Sequence, residues 1–374
     1  MSDLRTFRRT LHANPELSGQ ENGTQQRIRE MLAQQNANGS KDVGGTGLLY
    51  SFTFGEGPHV LVRVDIDALP IQEINSFEHK STVPGVSHKC GHDGHTTIGV
   101  GLIMKMLSEP YSRGSVDVLF QPAEEIGEGA RSVIADPVFD PSKYDYAIAL
   151  HNIPGAPLHQ ILWKRDGFTP AVQSLIIRLQ GKTSHAAEPL KGFNPAYAIS
   201  EIIQMARTME VVDEQHEDYA LITPVYSTLG SKDYGISAGY GEVHFTIRSW
   251  KQEKMERVCE VFSGMVDTIG DSNKLKVEKE IVAVFAANQN DHHVVDQIIA
   301  AAHELQLRST ERVKPFPWGE DFGLFTQHIP GAMFGLGSGE NSPALHNPDY
   351  DFPDEIINTG INMFYHTIQN LISS

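Results

Sequence analysis

Between residues 59 and 150, short apolar runs alternate with a helical pattern, and this alternation constrains the fold more than any other feature. Residues 59–64, 116–120 and 144–150 read as buried strands, while 96–107 carries Ile98, Leu102 and Met106 at helical spacing. Short buried strands alternating with helices imply an α/β layer around a largely parallel sheet. The middle third has another order. Residues 174–179, 220–226, 243–247 and 275–284 read as strands. Pro195 opens a helix with Ile199, Ile202, Ile203 and Ala206 on one face and Asn194 placed to cap it. A second helix carries Met255, Val258, Phe262, Met265 and Ile269. This βαββαβ order is the ferredoxin-like pattern. Helical spacing returns at Val295, Ile298, Ile299, Ala302 and Leu305, and at Ile357, Ile361, Phe364, Ile368 and Leu371. The expected fold is an α/β catalytic domain with a mixed, largely parallel sheet, made of residues 1–172 and 286–374. A ferredoxin-like α+β lid, residues 173–285, is inserted into it.

The densest chemistry lies in His88-Lys89-Cys90-Gly91-His92-Asp93-Gly94-His95, read as a Gly-rich turn just before the 96–107 helix. Imidazole and thiolate hold transition metals. A cysteine nucleophile with a histidine base, or a plain polar turn, is the rival reading. The 116–120 strand leads to Gln121-Pro122-Ala123-Glu124-Glu125. Adjacent carboxylates repel unless a cation or proton separates them. At a strand end their side chains diverge, so that one can ligate a metal while the other faces a water; an exposed acidic pair is the plain alternative. The 144–150 strand runs into His151-Asn152, and the 59–64 strand into Asp65-Ile66-Asp67. Polar residues at C-terminal strand ends occupy the place where open α/β sheets build sites. His151 also reads as a buried structural histidine, His346 as a loop histidine after a strand at 332–336, and Glu320-Asp321 as a structural acidic pair.

Composition removes other classes. Lys and Arg number 30 against 47 Asp and Glu, a net charge of -17, which argues against nucleic acid and anionic membranes as partners. No apolar stretch nears the roughly 18 residues of a membrane span. Two cysteines, Cys90 and Cys259, give no disulfide framework. With no apolar signal core at the N-terminus, a cytoplasmic protein is expected.

The motifs together resemble the amidohydrolase branch of the metallo-aminoacylase and carboxypeptidase superfamily, which includes hippurate hydrolase, N-acyl-amino-acid deacetylases and auxin-conjugate hydrolases. The likeness runs from Arg8-Arg9-Thr10-Leu11-His12 and Pro15-Glu16-Leu17 through Asp65-Ile66-Asp67-Ala68-Leu69-Pro70, the Cys90–His95 cluster and Gln121–Glu125. It continues at Leu150-His151, Gly181-Lys182-Thr183-Ser184-His185-Ala186-Ala187, Glu320-Asp321-Phe322 and Leu345-His346. The resemblance implies two divalent metal ions (manganese, zinc, cobalt or nickel) held by Cys90, His92, Glu125, His151 and His346, with Cys90 as bridge. It implies Glu124 as general base, Asp67 orienting a ligand histidine, and His185 on the lid polarising the scissile carbonyl, in some members across a dimer interface. The implied activity is hydrolysis of a small N-acyl amino acid or similar conjugate by a homodimer joined through the lid. A metallo-carboxypeptidase or dipeptidase, or a non-catalytic metal- or ligand-binding relative, is the alternative. One departure stands out. The Asn-Val-Ile-Pro-Asp stretch usual on the lid is replaced by Tyr234-Gly235-Ile236-Ser237-Ala238, and Arg248, just after the next strand, matches the lid arginine.

Overall fold

The computed structural model describes residues 2–37 and 39–373. The chain divides into two compact units: Met1–Phe168 with Asn288–Pro315 and Glu320–Ser374, and Thr169–Ala287 with Phe316–Gly319. Among the described residues no helix is long and apolar enough to cross a membrane.

In the first unit eight strands lie side by side. Their order is Lys41–Val43, Gly47–Thr53, Ser115–Gln121, His59–Asp65, Tyr146–Ile153, Gly331–Gly337, Ile161–Trp163 and Ser309–Glu311. The four central strands, from Ser115–Gln121 to Gly331–Gly337, are mutually parallel, and antiparallel pairings flank them. Val60, Leu61, Val62 and Val64 are all buried, as a strand covered on both faces requires. Leu4, Phe7 and Leu11 of the Ser2–Ala13 helix join the same core, as do Ile98, Leu102 and Met106 of His92–Ser108 and the apolar face of Ile357–Ser373. A Cβ on Gly101 would lie 2.2 Å from Ile361, so glycine is what lets two of these helices approach so closely. Because the central strands share one direction, Asp65, Gln121, His151 and Asn152 are delivered to one edge of the sheet.

Two boundaries differ from the sequence reading in ways that matter. The helix expected at 96–107 begins at His92, not beyond the histidine cluster. Gly91, at φ 97°, turns the chain into it, and a Cβ there would lie 2.5 Å from Asn152 Oδ1. His92 and His95 thus share the first turn of a helix. The strand expected to stop at 150 extends to Ile153, so His151 and Asn152 are strand residues.

The second unit is a four-stranded antiparallel sheet in the order Ala220–Leu229, Tyr240–Ser249, Ala171–Gln180, Lys276–Phe285, with helices Ala196–Met209 and Gln252–Ser272 between its strands. This is the ferredoxin-like topology. Leu175, Ile177 and Leu179 alternate inward beside Val243, Phe245 and Ile247, and the helices cover them with Ile199, Ile202, Met255, Val258 and Phe262. Met265, expected on the buried face, is 41 % exposed and Val266 is buried in its place. A period of 3.6 residues carries the stripe from Phe262 to Val266. Asn194 Oδ1 accepts the Ala196 N–H at 2.9 Å, at the mouth of the first helix. Arg248 lies within its strand rather than after it, and donates from Nη1 to the Pro317 carbonyl at 2.9 Å.

The Phe262 ring meets Phe245 edge-on at 5.1 Å and is fully buried. Phe262→Ala should destabilise the inserted unit by about 3–5 kcal/mol, read in urea unfolding. Metal titration of the folded variant should be unchanged, because the site described next belongs to the other unit.

Candidate metal centre

Cys90, His92, Glu124, Glu125, His151 and His346 all belong to the first unit, and the structure brings their functional atoms together. One ligand atom each of Cys90, His92 and His151 lies within 4.8 Å of the others, and the same holds for Cys90, Glu125 and His346. Cys90 belongs to both triads. Its Sγ is 3.5 Å from His151 Nε2, and Glu125 Oε2 is 3.6 Å from His346 Nε2. His92 Nε2 and Glu125 Oε1 are buried without a hydrogen-bond partner. Buried polar atoms seldom go unpaired, and these two belong to the groups that converge. Thiolate, imidazole and carboxylate around one space form a donor set that fits divalent transition metals.

Glu124 and Glu125 do not diverge as strand alternation would have them do. Glu124 Oε2 and Glu125 Oε1 come within 3.9 and 3.8 Å of the same atom, His92 Nε2. The strand ends at Gln121, and Ala123 at φ 53° bends the chain into a turn, so the period of two no longer applies. Asp67 lies behind His92. Its carbonyl and Oδ1 are 3.0 and 3.2 Å from His92 Nδ1, while Oδ2 accepts from Ser18 Oγ at 2.6 Å and the Glu125 N–H at 3.0 Å. His185 belongs to the inserted unit and is exposed.

The motif reading missed the layer beneath. Arg63, on an otherwise apolar strand, is fully buried and donates to Asp65 Oδ2 at 2.7 Å, Asp321 Oδ1 at 2.6 Å and Gln121 Oε1 at 2.9 Å, with Glu320 Oε1 2.9 Å away. His95 has both nitrogens occupied, Nδ1 by Asp65 at 2.6 Å and Nε2 by the Asn152 N–H at 3.2 Å, which removes it from the ligand set. The available signal was one arginine in the run Val60-Leu61-Val62-Arg63-Val64: a buried guanidinium demands carboxylates.

Electrostatics describe a site that needs positive charge. Burial, with the charges of Glu320, Glu125 and Asp321, pushes the Glu124 carboxyl well above its ordinary range, although Arg63 opposes the rise. Burial lifts Glu125 to about 8 despite the nearby His92. Burial and the Glu125, Glu124 and Asp65 charges push the Cys90 thiol well up. Burial would lower His92, but Asp65, Asp67 and Glu125 outweigh it and raise it to about 10. Burial pulls His151 well down, leaving a neutral imidazole with a lone pair to give. Cys90, His92, Glu124 and Glu125 therefore all favour their protonated forms.

Comparison with known proteins identifies the family. The family described as peptidase family M20/M25/M40 matches residues 61–370. A probable hydrolase of Synechocystis is 31% identical over 365 residues, covering 95% of this chain and 92% of that protein. The chain belongs to peptidase family M20/M25/M40. An N-acetyl-L-cysteine deacetylase of Bacillus subtilis is 29% identical over 371 residues, covering 98% of this chain and 88% of that one. The crystal structure of the Bacillus subtilis YXEP protein, described as a dinuclear metal-binding peptidase of the M20 family, superposes with a TM-score of 0.85 at 27% identity. The match covers 100% of this chain and 98% of the other.

Metal ligands bind deprotonated, so in this M20 chain an incoming ion must displace the protons just described. Binding at pH 7 should release protons, measurable by calorimetry in buffers of different protonation enthalpy. Glu125 sheds its proton only towards pH 8, so affinity should rise from pH 6 to 8, by about tenfold per pH unit for each proton displaced. A flat profile would contradict this assignment. Asp67→Asn, which weakens the acceptor behind His92, should cost about 10–100-fold in metal affinity.

Proposed function

We propose that this chain is a metal-dependent amidohydrolase that cleaves the amide bond of an N-acyl amino acid or a similar small conjugate. The observation that carries the reading is the convergence of Cys90, His92, Glu125, His151 and His346 beside a further carboxylate, Glu124, that the ligand set does not need. A cage requires only ligands; the extra buried carboxylate supports catalysis. In this reading Cys90 is shared between two ions, as its place in both triads suggests, and Asp67 fixes the His92 ring. The relative that deacetylates N-acetyl-L-cysteine supports the substrate class.

Two divalent ions held there, with manganese, zinc, cobalt and nickel all suited to the donors, supply Lewis acidity and make a water more acidic. Glu124 removes a proton from that water as its oxygen attacks the amide carbonyl carbon. The C–N bond then breaks, and Glu124 returns the proton to the departing amine nitrogen, leaving a free amine and a carboxylic acid that gives up its remaining proton to solvent. His185 supplies the donor to the carbonyl oxygen. Its Nδ1 accepts the Ala187 N–H at 3.0 Å, which puts the proton of the neutral ring on Nε2, ready to be donated.

The altered lid stretch bears on what is accepted. Ile236 pairs directly with His185 and Ser237 with Ser184, and residues opposed across an antiparallel pair share a face. An apolar side chain therefore flanks the imidazole, which favours an apolar substituent next to the scissile carbonyl. The outer strand Ala220–Leu229 leaves Val225, Tyr226 and Leu229 exposed. It suits joining of two copies through the lid, with His185 serving the neighbouring site.

Hydrolysis of a panel of N-acyl amino acids tests the activity, and a chelator should abolish it until a divalent ion is restored. Full activity in metal-free protein would revive Cys90 as a nucleophile. Glu124→Gln should retain metal and lose about 10²–10⁴ in turnover, whereas Glu125→Gln should lose metal affinity as well. His185→Ala should lower kcat by about 10²–10³ with metal content intact. If His185 acts across a dimer, mixing the inactive Glu124→Gln and His185→Ala proteins recovers activity. No recovery after proven subunit exchange leaves only action within one chain.

A further inference from the structure

His346 stands far from the other ligands in sequence and on no helix or strand. It also takes φ 66°, a left-handed conformation that residues with a side chain seldom adopt. Something must hold its loop in place. Besides the bond from Asn152 Nδ2 to the Tyr350 hydroxyl at 2.6 Å, four hydrogen bonds to backbone groups lace residues 346–350 to the rest of the unit. The His346 N–H donates to the Lys89 carbonyl at 2.8 Å and the Ile74 N–H to the Pro348 carbonyl at 3.2 Å. Asn75 Nδ2 donates to the Asp349 carbonyl at 2.9 Å, and Lys89 Nζ to the Tyr350 carbonyl at 2.7 Å.

Lys89 supplies two of the four and tightens a third. Its ammonium has no exposed surface and also donates to Glu73 Oε1 at 2.6 Å and Asn75 Oδ1 at 2.9 Å, so its three N–H bonds meet three acceptors. Glu73 is itself anchored by His12 Nε2 at 3.1 Å and the Ser81 N–H at 2.6 Å. The residue after Lys89 is Cys90. One buried side chain therefore sits between the loop that carries the thiol and the loop that carries His346.

We propose that Lys89 is a positioning residue that sets the His346 imidazole against Cys90 and Glu125, and so determines how tightly the second of the two ions is held. The proposal rests on the metal-centre reading above. A side chain that only stabilised the unit would affect both ions or neither. Lys89 is tied to the His346 loop, so its loss should fall on the ion that Cys90, Glu125 and His346 share, and spare the one held by Cys90, His92 and His151.

The test is titration of the metal-free protein with cobalt(II), followed by calorimetry and visible absorbance. The unaltered protein should take two ions; fewer would sink the underlying reading rather than this one alone. Lys89→Met keeps the length of the side chain and removes the ammonium. It should leave one ion tight and weaken the other by about 10–100-fold, with turnover recovering as cobalt is raised. The double variant with His346→Ala should bind no worse than His346→Ala alone, because both changes remove the same support. Unchanged binding of the second ion in Lys89→Met, or fully additive losses in the double variant, overturns the proposal. If Lys89→Met does not fold, Asn75→Ala cuts two of the same contacts at a half-buried position. It should weaken the same ion severalfold, and wild-type binding in that variant overturns the proposal equally.

Discussion

Arg63 sits among Asp65, Glu320 and Asp321 with none of its side chain exposed. Burial alone would weaken its hold on its proton, yet Glu320, Asp65, Asp321 and Glu124 outweigh that and hold it more firmly than usual. One guanidinium cannot balance that many carboxylates in a medium of low effective dielectric. Burial accordingly raises Asp321 to about 7 and Glu320 above its ordinary range, with Arg63 opposing both shifts. The edge of the sheet is thus short of positive charge before Glu124, Glu125 and Cys90 are added. Divalent cations, which the donor set fits, would offset it, and the same imbalance keeps Glu124 avid for a proton, as its proposed role of general base requires.

The sheet edge was legible because residue order alone encodes it. Buried parallel strands leave continuous apolar runs, and each run ended in a polar residue: Asp65, Gln121, His151. The ferredoxin-like order of the inserted unit could likewise be read from alternating periods of 2 and 3.6. What stayed hidden depends on single backbone angles. Gly91 at φ 97° starts the helix at His92, and Ala123 at φ 53° folds the two glutamates towards one imidazole. Neither angle leaves a periodic trace, and alanine is not a residue from which a left-handed turn is expected. Arg63 and Lys89 were hidden for another reason. Both look like ordinary cations in sequence, and only their acceptors, contributed from remote parts of the chain, show that they are buried.

In the inserted unit a single hydrogen-bonded ribbon carries both His185 and the altered lid stretch. His185 lies on one short strand, and Ile236-Ser237 on its antiparallel partner. A tight turn precedes that partner, with the Gly235 N–H on Asp233 Oδ1 at 3.0 Å, and leaves Tyr234 96 % exposed. Changing Tyr234 therefore need not move the imidazole, whereas changing Ile236 alters its immediate neighbour. Replacement of the usual proline by Ser237 also returns a hydroxyl to the ribbon, and Asn194 Nδ2 donates to it at 3.0 Å. That bond ties the ribbon to the start of the Ala196–Met209 helix, giving Ser237 a positioning bond that proline could not accept.

Two of the non-glycine residues in the left-handed region, Ala123 and His346, bracket the metal centre on different loops. Each such conformation costs about 1–3 kcal/mol and persists only where the surroundings impose it. At Ala123 one imposing contact is local and one is remote: its carbonyl accepts the Gly129 N–H at 3.0 Å, and its N–H donates at 2.9 Å to Oε1 of Glu21, just before the Asn22–Ala33 helix. At His346 they are remote, running through Lys89 to Glu73 and on to His12 of the first helix. The first arrangement aims two acids and is held by the turn together with Glu21. The second depends on three separated segments being folded together, so under the proposed assignment an ion held by His346 would report on the integrity of the whole unit, while one held by Cys90, His92 and His151 would rest on the sheet edge and one helix.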